Sequence, residues 1–490
     1  MTTDVYVGLD LGTSGLKAVA VDGDGQALAR AGAGYPTARP EPGASEQDPT
    51  DWLAAAGSAC RAVVAQLPAG ARVAAIGLSA MLPTLVTADA QLRPTGPALT
   101  WEDARAERHG AALRAASDPD RLYRASGQWL DGRYLIPMYL RVAELDADRA
   151  AATTWLLGAK DWLHAQLTGE QMTDPSTATG VGGYVLADGG WDATLLAAVD
   201  RPLPRRPEVV AAETAPGLRA GAAELLGVPA GTPVCVGGAD SVLGALGMGA
   251  AGIGDVAYVA GTSTVLLGIG TDLAVDDRHR YLVTPLAGAP GWGYEMDLLS
   301  TGSALRWLTR LVGAPDEASL VALAGEVDPA DAPVVLPYLA PGEQGALWDP
   351  DLRGAIVGLT LADEPRHLAR GLLSGIVLES RRCLAVLAEH GIDGAIQIAG
   401  GSGSDPGFRA DLADASGRAV QLHADDEVDY SAAGAARLAA AACGHPIPTR
   451  PATGARHEPR PERAALWAEL AERHDQIRQA LPGPAPRGAS

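Results

Sequence analysis

The amino-acid sequence predicts an α/β protein built from two similar domains. Its 490 residues exceed what a single hydrophobic core usually holds. Strand-like and helix-like segments alternate along the chain, as they do in α/β domains. A strand, a Gly-Thr-Ser turn and a second strand occur near residue 13 and again near residue 262. Such an internal duplication indicates two related domains that face each other.

The first of these elements, Val5–Val21, is the stretch around which the chain is organised. A β-branched apolar run ends near Asp10, small residues form a turn, and a second apolar run completes a hairpin. Amides of such a turn can point the same way and suit phosphate oxygens. The predicted phosphate contacts are Thr13, Ser14 and Gly15. Asp10 suits a hydrated Mg²⁺ that bridges those phosphates, and Lys17 adds a cation. The alternative is a plain hairpin whose glycines serve only the turn.

Composition and charge narrow the class of protein. Apolar content of 47% with 20% charged residues is typical of a soluble globular protein, and the net charge of −21 argues against nucleic acid or an anionic membrane as partner. The four cysteines are far apart and have neither metal-ligand nor disulfide spacing, which favours a reducing compartment. Because no secretion signal or membrane-spanning run is visible, we predict a cytoplasmic protein.

The remaining elements of the first domain follow from hydrophobic periodicity and capping residues. The pattern predicts a strand at 26–34, a helix at 51–67 capped by Asp48 or Thr50, a strand at 72–78, a helix that opens at 99–105, and helices at 138–145 and 154–167. A polar segment at 173–178 is interpreted as structural rather than catalytic.

The second domain repeats the logic of the first. A buried-type strand, Val234–Asp240, ends in glycines and an aspartate and leads into a helix of small residues. The turn that follows the next strand supplies the predicted phosphate contacts Gly261, Thr262 and Ser263. Further elements are predicted as a strand at 334–339, helices at 366–390, 408–416 and 427–442, a strand at 395–399, a Pro-rich linker at 446–461 and a terminal helix at 462–481 that packs on the body. The Gly-rich loop at 400–404 would let an adenine ring approach the backbone.

Together these motifs resemble the FGGY family of carbohydrate kinases over nearly the whole chain. The matching motifs are DLGTSGLKA, SEQDP, W-x-D-x-R at 101–105, KDW at 160–162, LTGEQMTDPSTA, GGAD at 237–240, the second G-T-S, LPYLAPGE, RGAIVGL and IAGGSGSDPGFRADLAD. The resemblance implies two actin-like (ribonuclease H-like) domains with a catalytic cleft between them. It divides the chain into an N-terminal domain at 1–232, a C-terminal ATP-binding domain at 233–450, and a linker with a helix at 451–490.

The resemblance also implies the chemistry of the cleft. A sugar hydroxyl would attack the γ-phosphorus of ATP in line, with Asp240 as the base and Mg²⁺ on Asp10. A helix cap is the alternative role of Asp240. The implied ATP contacts are those of the two turns with Lys17, Gly302, Gly400, Gly401 and Ser402. The implied sugar contacts are Met81, Leu82, Trp101, Asp103 and Asp240, although Trp101 also suits the core.

Two departures from the family pattern bear on the substrate. The histidine of the xylulokinase pattern Q-M-H-G is Leu82 here, and the usual Gly-Glu-Arg reads Gly-Glu-Gln, with Gln344 in place of arginine. Since no cation is found near Met81, we predict a neutral sugar, most simply a ketopentose such as xylulose. Gluconate, ribulose or a polyol are alternatives, and nothing resembles the Arg-Glu of glycerol kinases.

Other classes of function remain open from the sequence. An actin-like ATPase of the chaperone or filament type has similar turns but lacks the 101–105 and 237–240 motifs. A homologue that binds sugar without turnover would have lost Asp10, Lys17 or Asp240, and all three are present. The oligomeric state is open, a homodimer included.

Overall fold

The computed structural model describes residues 3–250, 252–340, 345–347, 349, 352–423, 429–448, 452 and 454–481. Two large β-sheets with helices on their faces, and four smaller sheets, organise these residues. Gln344, one of the two departures from the family pattern, lies outside the described residues. Within them, no helix is both long and apolar enough to cross a membrane.

The first domain is organised around a five-stranded sheet of order β13-β5-β1-β2-β3. Its strands and those of the smaller sheets beside it are β1 Thr3–Leu11, β2 Gly15–Val21, β3 Ala27–Gly34, β4 Glu46–Gln47, β5 Ala71–Ala80, β6 Leu85–Ala88, β7 Ala98–Leu99, β8 Trp155–Gly158, β9 Met172–Thr173, β10 Tyr184–Val185, β11 Gly190–Trp191, β12 Glu208–Val209 and β13 Gly238–Ala239. Strands β1 to β3 form an antiparallel meander, and β5 and β13 continue the sheet in parallel.

Nine helices accompany these strands within the described part of the first domain. They are α1 Pro49–Gln66, α2 Glu107–Ala116, α3 Pro119–Ser126, α4 Leu135–Leu145, α5 Ala147–Ala152, α6 Ala159–Thr168, α7 Pro175–Ala178, α8 Ala193–Ala198 and α9 Ala220–Leu226. Asp48, one of the two predicted caps, accepts the Thr50 N–H at the start of α1. Trp52 of that helix is fully buried against the sheet.

The second domain has a seven-stranded sheet of order β16-β17-β15-β14-β20-β21-β22. The strands of this domain are β14 Val256–Ala260, β15 Thr264–Gly270, β16 Leu282–Pro285, β17 Trp292–Leu298, β18 Val334–Leu336, β19 Ala355–Val357, β20 Ile396–Gly400, β21 Val420–Leu422 and β22 Arg456–His457. Strands β17, β15 and β14 are antiparallel, and β20 and β21 continue in parallel. This repeats the order and directions of the first sheet, with β16 and β22 added at the edges, so the predicted duplication is confirmed.

The remaining helices cover the second sheet and extend to the first. They are α10 Asp240–Met248, α11 Gly302–Val312, α12 Glu317–Ala324, α13 Pro365–Glu389, α14 Pro406–Ser416, α15 Tyr430–Ala442 and α16 Ala464–Ala480. The terminal helix packs on the body, as predicted, since Trp467 is buried in the core of the second domain.

Two local predictions were wrong. Residues 154–167 are not one helix, because β8 occupies Trp155–Gly158 and pairs antiparallel with β6 before α6 begins. Residues 99–105 do not open a helix either. They form the end of β7 and a turn, and α2 begins at Glu107. In both places a strand partner distant in sequence decides the local structure.

The two domains meet across helices α10 and α15, which approach each other and the first sheet at glycines. A Cβ atom on Gly434 would lie 1.8 Å from the Leu243 carbonyl oxygen, and one on Gly247 would lie 1.9 Å from that of Tyr430. A Cβ on Gly8 of β1 would lie 1.7 Å from the Ala432 oxygen of α15. These glycine contacts hold the sheet of the first domain directly against α15.

Candidate active site

A cavity of about 680 Å³ opens between the two sheets and is lined by residues of both domains. The carboxyl ends of β1, β5 and β13 meet there with those of β14 and β20, as expected for ligand sites in sheets of this kind. Nine of the predicted site residues line the cavity. They are Thr13, Met81, Leu82, Trp101, Asp240, Thr262, Ser263, Gly400 and Gly401.

The first predicted phosphate turn joins β1 to β2 and is held from two sides. The Trp101 indole N–H donates to Thr13 Oγ1 at 2.9 Å, and Gln47 Nε2 donates to the Thr13 carbonyl at 2.7 Å. Trp101 therefore contacts both the cavity and the turn. Ser14 and Gly15 complete the turn without lining the cavity.

The second predicted phosphate turn joins β14 to β15 in the same way. The Gly261 N–H donates to the Ser263 carbonyl at 2.8 Å, which closes the turn and leaves Thr262 and Ser263 at the cavity wall. Gly302, at the start of α11, lies behind it. A Cβ atom on Gly302 would be 2.3 Å from the Gly261 oxygen, so its contribution is close packing against the turn.

Asp10 lies near the end of β1, beside the cavity rather than in its lining. It is 6% exposed, and its Oδ1 accepts the Ser79 hydroxyl at 2.7 Å. Burial raises the pKa of Asp10 well above its ordinary value, and the nearby charges of Asp429 and Asp240 add to that effect. Acidic side chains therefore crowd this end of the cavity.

This arrangement fits a Mg²⁺ ion that phosphates help to hold. Among the described residues, no group of three or more His, Cys, Asp or Glu side chains is arranged to bind a metal by itself. Mg²⁺ commonly uses one or two carboxylates together with waters and substrate phosphates, and Asp10 beside the first turn can supply such a carboxylate. A cation there would also relieve the repulsion between Asp10, Asp240 and Asp429.

Lys17 lies beside the cavity rather than in its lining. Its Nζ donates to Asp429 Oδ2 at 2.7 Å, and the lysine side chain is 61% exposed. Asp429 lines the cavity and caps α15 through the Ala432 N–H. In this structure the predicted phosphate cation is thus paired with a carboxylate of the second domain.

Asp240 begins α10 and lines the cavity. Burial, together with the charges of Asp297 and Asp429, raises the pKa of Asp240 to about 7, against the lowering effect of the bond from the Ser241 N–H. A carboxylate that titrates near neutral pH is well matched to accepting a proton from a hydroxyl.

Two further carboxylates that sequence reasoning missed line the cavity beside Asp240. Glu295 and Asp297 alternate along β17, so both face the cavity while Met296 faces the core. Burial and the charge of Asp297 raise the pKa of Glu295 to about 8, and burial raises the pKa of Asp297 to about 6. The signal was two acidic residues at alternate positions of an apolar strand.

The cavity wall also contains polar residues that the sequence did not reveal. Arg133 lines the cavity, and its guanidinium lies 2.7 Å from Asp131. Gln128 lies beside it and bridges the domains, since its Nε2 donates to the Val283 carbonyl at 2.8 Å. The expectation of a pocket without a cation considered only the sequence near Met81. Arg133 comes from another part of the chain and lines the same cavity.

Asp103 lies apart from the cavity lining. It is 1% exposed, forms an ion pair of 2.6 Å with Arg105, and accepts the Ser45 N–H at 3.0 Å. These contacts hold the segment that carries Gln47, and Gln47 in turn holds the first phosphate turn. The predicted contact of Asp103 with the sugar stays a prediction.

The opposite end of the cavity is formed by the Gly-rich loop after β20. Gly400 and Gly401 line it, and Ser402 opens the short 3₁₀ turn that follows. Buried Arg409 of α14 donates through Nη1 to the Gly403 carbonyl at 2.7 Å and so holds the loop in place. The exposed backbone of this loop leaves room for a flat ring.

Comparison with known proteins identifies the family to which these elements belong. Residues 5–247 match the N-terminal domain of the FGGY family of carbohydrate kinases, and residues 256–443 match its C-terminal domain. The chain belongs to the FGGY family of carbohydrate kinases. Its fold is the actin-like (ribonuclease H-like) two-domain fold of that family, and its activity is that of an ATP-dependent sugar kinase.

Individual relatives within the family differ in their sugars. The xylulose kinase of Escherichia coli (strain K12) is 30% identical over 438 residues, which cover 89% of each chain. A glycerol kinase of Alkalilimnicola ehrlichii is also 30% identical, over 89% of this chain and 90% of that protein. The gluconokinase of Bacillus subtilis (strain 168) is 26% identical over 84% of this chain and 83% of that protein.

A solved structure extends the likeness to three dimensions. The crystal structure of a xyloylose kinase from Brucella ovis superposes with a TM-score of 0.90 at 30% identity and covers 97% of this chain and 99% of that one. The comparisons therefore establish the class of enzyme and leave the sugar open.

Proposed function

We propose that this FGGY kinase phosphorylates a hydroxyl of a neutral sugar, with a ketopentose such as xylulose as the first candidate, and that Asp240 is the base. The observation that carries the proposal is the position of Asp240, whose pKa is raised to about 7, in a cavity shared with the phosphate turns of both domains. Xylulose kinases among the relatives support the choice of sugar.

In this mechanism the sugar hydroxyl loses its proton to Asp240 as its oxygen bonds to the γ-phosphorus and the bond to the leaving ADP oxygen breaks. The turns at 12–15 and 261–263 hold the phosphates in line, because phosphoryl transfer depends on positioning and electrostatics. Mg²⁺ held by Asp10 would neutralise phosphate charge. Met81 and Leu82 form an apolar wall beside the sugar, and Trp101 offers a ring face to its C–H groups.

The charge of the cavity supports a neutral substrate. Asp240 and Asp297, whose pKa values of about 7 and about 6 leave them at least partly ionised near neutral pH, face the same space, and Arg133 is accompanied by Asp131. A sugar acid would bring its carboxylate among these groups at a Coulombic cost. Hydroxyl groups, in contrast, can donate hydrogen bonds to carboxylates.

Phosphorylation of an aldonate such as gluconate is the second candidate. One observation favours it: Arg133 lines the cavity and can pair with a carboxylate. The relationship to gluconokinase is in keeping with this alternative. The family match supports a sugar kinase over an actin-like ATPase without sugar turnover.

A coupled ADP-release assay tests the proposal with Mg·ATP and a panel of sugars. The panel is D- and L-xylulose, D- and L-ribulose, gluconate, glycerol, erythritol and ribitol, with the Asp240→Asn variant as the background control. We expect one ketopentose to give a rate of ADP release well above the basal rate measured without sugar. A maximum with gluconate, lost in an Arg133→Met variant, would replace the first candidate by the second. A flat panel would contradict both.

A further inference from the structure

A buried chain of polar contacts reaches the main chain immediately before Asp240. It consists of Lys160 on α6, Asp174 at the start of α7 and Ser176 on α7, and none of them lines the cavity. We propose that these three residues fix the main chain that presents Asp240 and so act as positioning residues for the base. The inference rests on the proposed function for its catalytic consequence.

Lys160 is the charged end of this chain. It is 1% exposed, and its Nζ lies 3.2 Å from Asp161 Oδ1, 3.2 Å from Asp174 Oδ1 and 3.0 Å from the Val236 carbonyl oxygen. An ammonium group has three N–H donors, so three acceptors match its capacity. A buried charge without such partners would be costly, and this one is fully surrounded.

The three oxygens around Lys160 Nζ also explain why this residue is a lysine rather than an arginine. The chain has 38 Lys and Arg residues together, and Lys17 and Lys160 are the two lysines among them. A guanidinium is planar and larger, and its donors are fixed in a fork, whereas an ammonium is a compact point charge. Three oxygens within 3.2 Å of one atom form a site for the ammonium.

Ser176 transmits this arrangement to the strand that precedes Asp240. Its hydroxyl donates to Asp174 Oδ2, and its Oγ accepts the Ala239 N–H at 3.0 Å. Asp174 is fixed in turn, since it also accepts the Ser176 N–H at 2.9 Å and the Thr177 hydroxyl at 2.6 Å. Lys160 and Ser176 thus hold the main chain at Val236 and at Ala239.

The first sheet holds the same segment from its other side. Strand β13 pairs with β5, with Gly238 opposite Ser79 and Ala239 opposite Ala80. Gly237 has a φ of +81°, and a Cβ on it would lie 1.8 Å from the Leu78 oxygen. The segment is therefore clamped between β5 and the polar chain. Asp240 follows directly, so its distance to the reacting hydroxyl depends on this clamp.

Kinetics of a Ser176→Ala variant test the positioning role, with Ser117→Ala as the matched control. Both serines are 1% exposed and their hydroxyls are hydrogen-bonded, but the Ser117 hydroxyl donates to the Leu113 carbonyl, and Ser117 lies outside the cavity lining. We expect Ser176→Ala to lower kcat about 10- to 100-fold, as misplaced groups do. The KM for the sugar and the KM for ATP should both stay within about twofold of the wild-type values, because substrate contacts are unchanged.

The Lys160→Arg variant adds a second kinetic test. We expect kcat to fall in Lys160→Arg as it does in Ser176→Ala, although arginine keeps the positive charge. The reason is that the three oxygens around Lys160 Nζ form a site for an ammonium group. Unchanged kcat in Ser176→Ala, or an equal loss of kcat in Ser117→Ala, would overturn the inference while the sugar kinase activity of the wild-type protein stands.

Hydrogen exchange tests whether Ser176 holds the main chain before Asp240, and this test does not require that any sugar be phosphorylated. Amide exchange of a peptide that spans residues 234–240 is measured by mass spectrometry in the wild-type protein and in both serine variants. Faster exchange confined to Ser176→Ala supports the clamp. Exchange equal to that of the wild type overturns it. A wild-type protein that phosphorylates no sugar would refute the proposed function separately.

Discussion

At the residue scale, Asp240 combines two properties that a general base needs. It faces the cavity between the phosphate turns, and its pKa is raised to about 7 by burial and by neighbouring carboxylates. Sequence reasoning singled out Asp240 because it ends a predicted strand and because the motif GGAD at 237–240 resembles the base motif of the family. It missed Glu295 and Asp297, since which face of β17 meets the cavity depends on strand partners elsewhere in the chain.

Replacement of Asp240 by asparagine should abolish turnover and leave the fold intact. Loss of a general base costs about 10²- to 10⁴-fold in rate, so we expect a fall in kcat of about 10³-fold in the ADP-release assay. Because folding raises the pKa of Asp240, its ionised form opposes folding, and the variant should melt no lower than the wild type. Near-normal turnover in a folded variant would refute the assignment of the base.

The raised pKa of Asp240 also predicts how the rate depends on pH. The base must be ionised to accept a proton, so kcat should rise between about pH 6 and pH 8. Four other carboxylates adjoin this group: Asp10, Glu295, Asp297 and Asp429. Since the charge of Asp297 raises the pKa of Asp240, the Asp297→Asn variant should move the rising limb toward lower pH.

The pH profile is measured as initial rate at saturating Mg·ATP and sugar, with the coupling enzymes in excess at every pH. An Asp51→Asn variant is a suitable control, because that aspartate lies on α1, outside the cavity lining. If the rise of kcat with pH occurs at the same pH in Asp297→Asn as in the wild type, or at a higher pH, the electrostatic account is contradicted.

At the element scale, the sequence predicted the local parts of the fold better than the distant ones. The hairpins at Val5–Val21 and at 255–269 were recognised because strand, turn and strand are adjacent in the chain. Residues 155–158 were predicted as helix, and they are a strand because their partner β6 lies about seventy positions earlier. The contact between α10 and α15 likewise joins segments that no local pattern connects.

That contact predicts a strong effect of a single methyl group. A Cβ on Gly434 of α15 would lie 1.8 Å from the Leu243 oxygen of α10, so the helices must separate to admit alanine. Overpacking of this kind costs about 1–3 kcal/mol, and we expect Gly434→Ala to reach the upper end because the obstacle is main chain. The Tm should fall by several degrees, and kcat with it, since α10 carries Asp240.

A matched control distinguishes the clash from a general effect of glycine replacement. Gly221 lies in helix α9 with open space around its would-be Cβ. Alanine has a higher helix propensity than glycine by about 1 kcal/mol, so Gly221→Ala should hold or raise the Tm. If both variants melt alike, the helix contact is less tight than its geometry indicates. The Tm values are obtained by differential scanning calorimetry.

At the scale of the whole molecule, the candidate active-site cavity belongs to neither domain alone. The first contributes Met81 and Trp101, the second contributes Thr262 and Gly400, and Gln128 of the first bonds to the Val283 carbonyl of the second. If the domains close, a ligand bound to one wall would favour the arrangement that also suits a ligand on the other. Closure around both would exclude water and limit wasteful hydrolysis of ATP.

This shared cavity predicts cooperative binding of sugar and nucleotide. The sugar identified in the panel is titrated by isothermal calorimetry, with and without saturating Mg²⁺ and a non-hydrolysable ATP analogue. Coupling between two sites typically changes affinity by about 5- to 150-fold, and we expect the nucleotide to tighten sugar binding within that range. Because linkage is reciprocal, the sugar must lower the Kd of the nucleotide by the same factor. Equal sugar affinities in both titrations would mean that the two walls bind their ligands independently, and that closure is not what brings the hydroxyl to the phosphate.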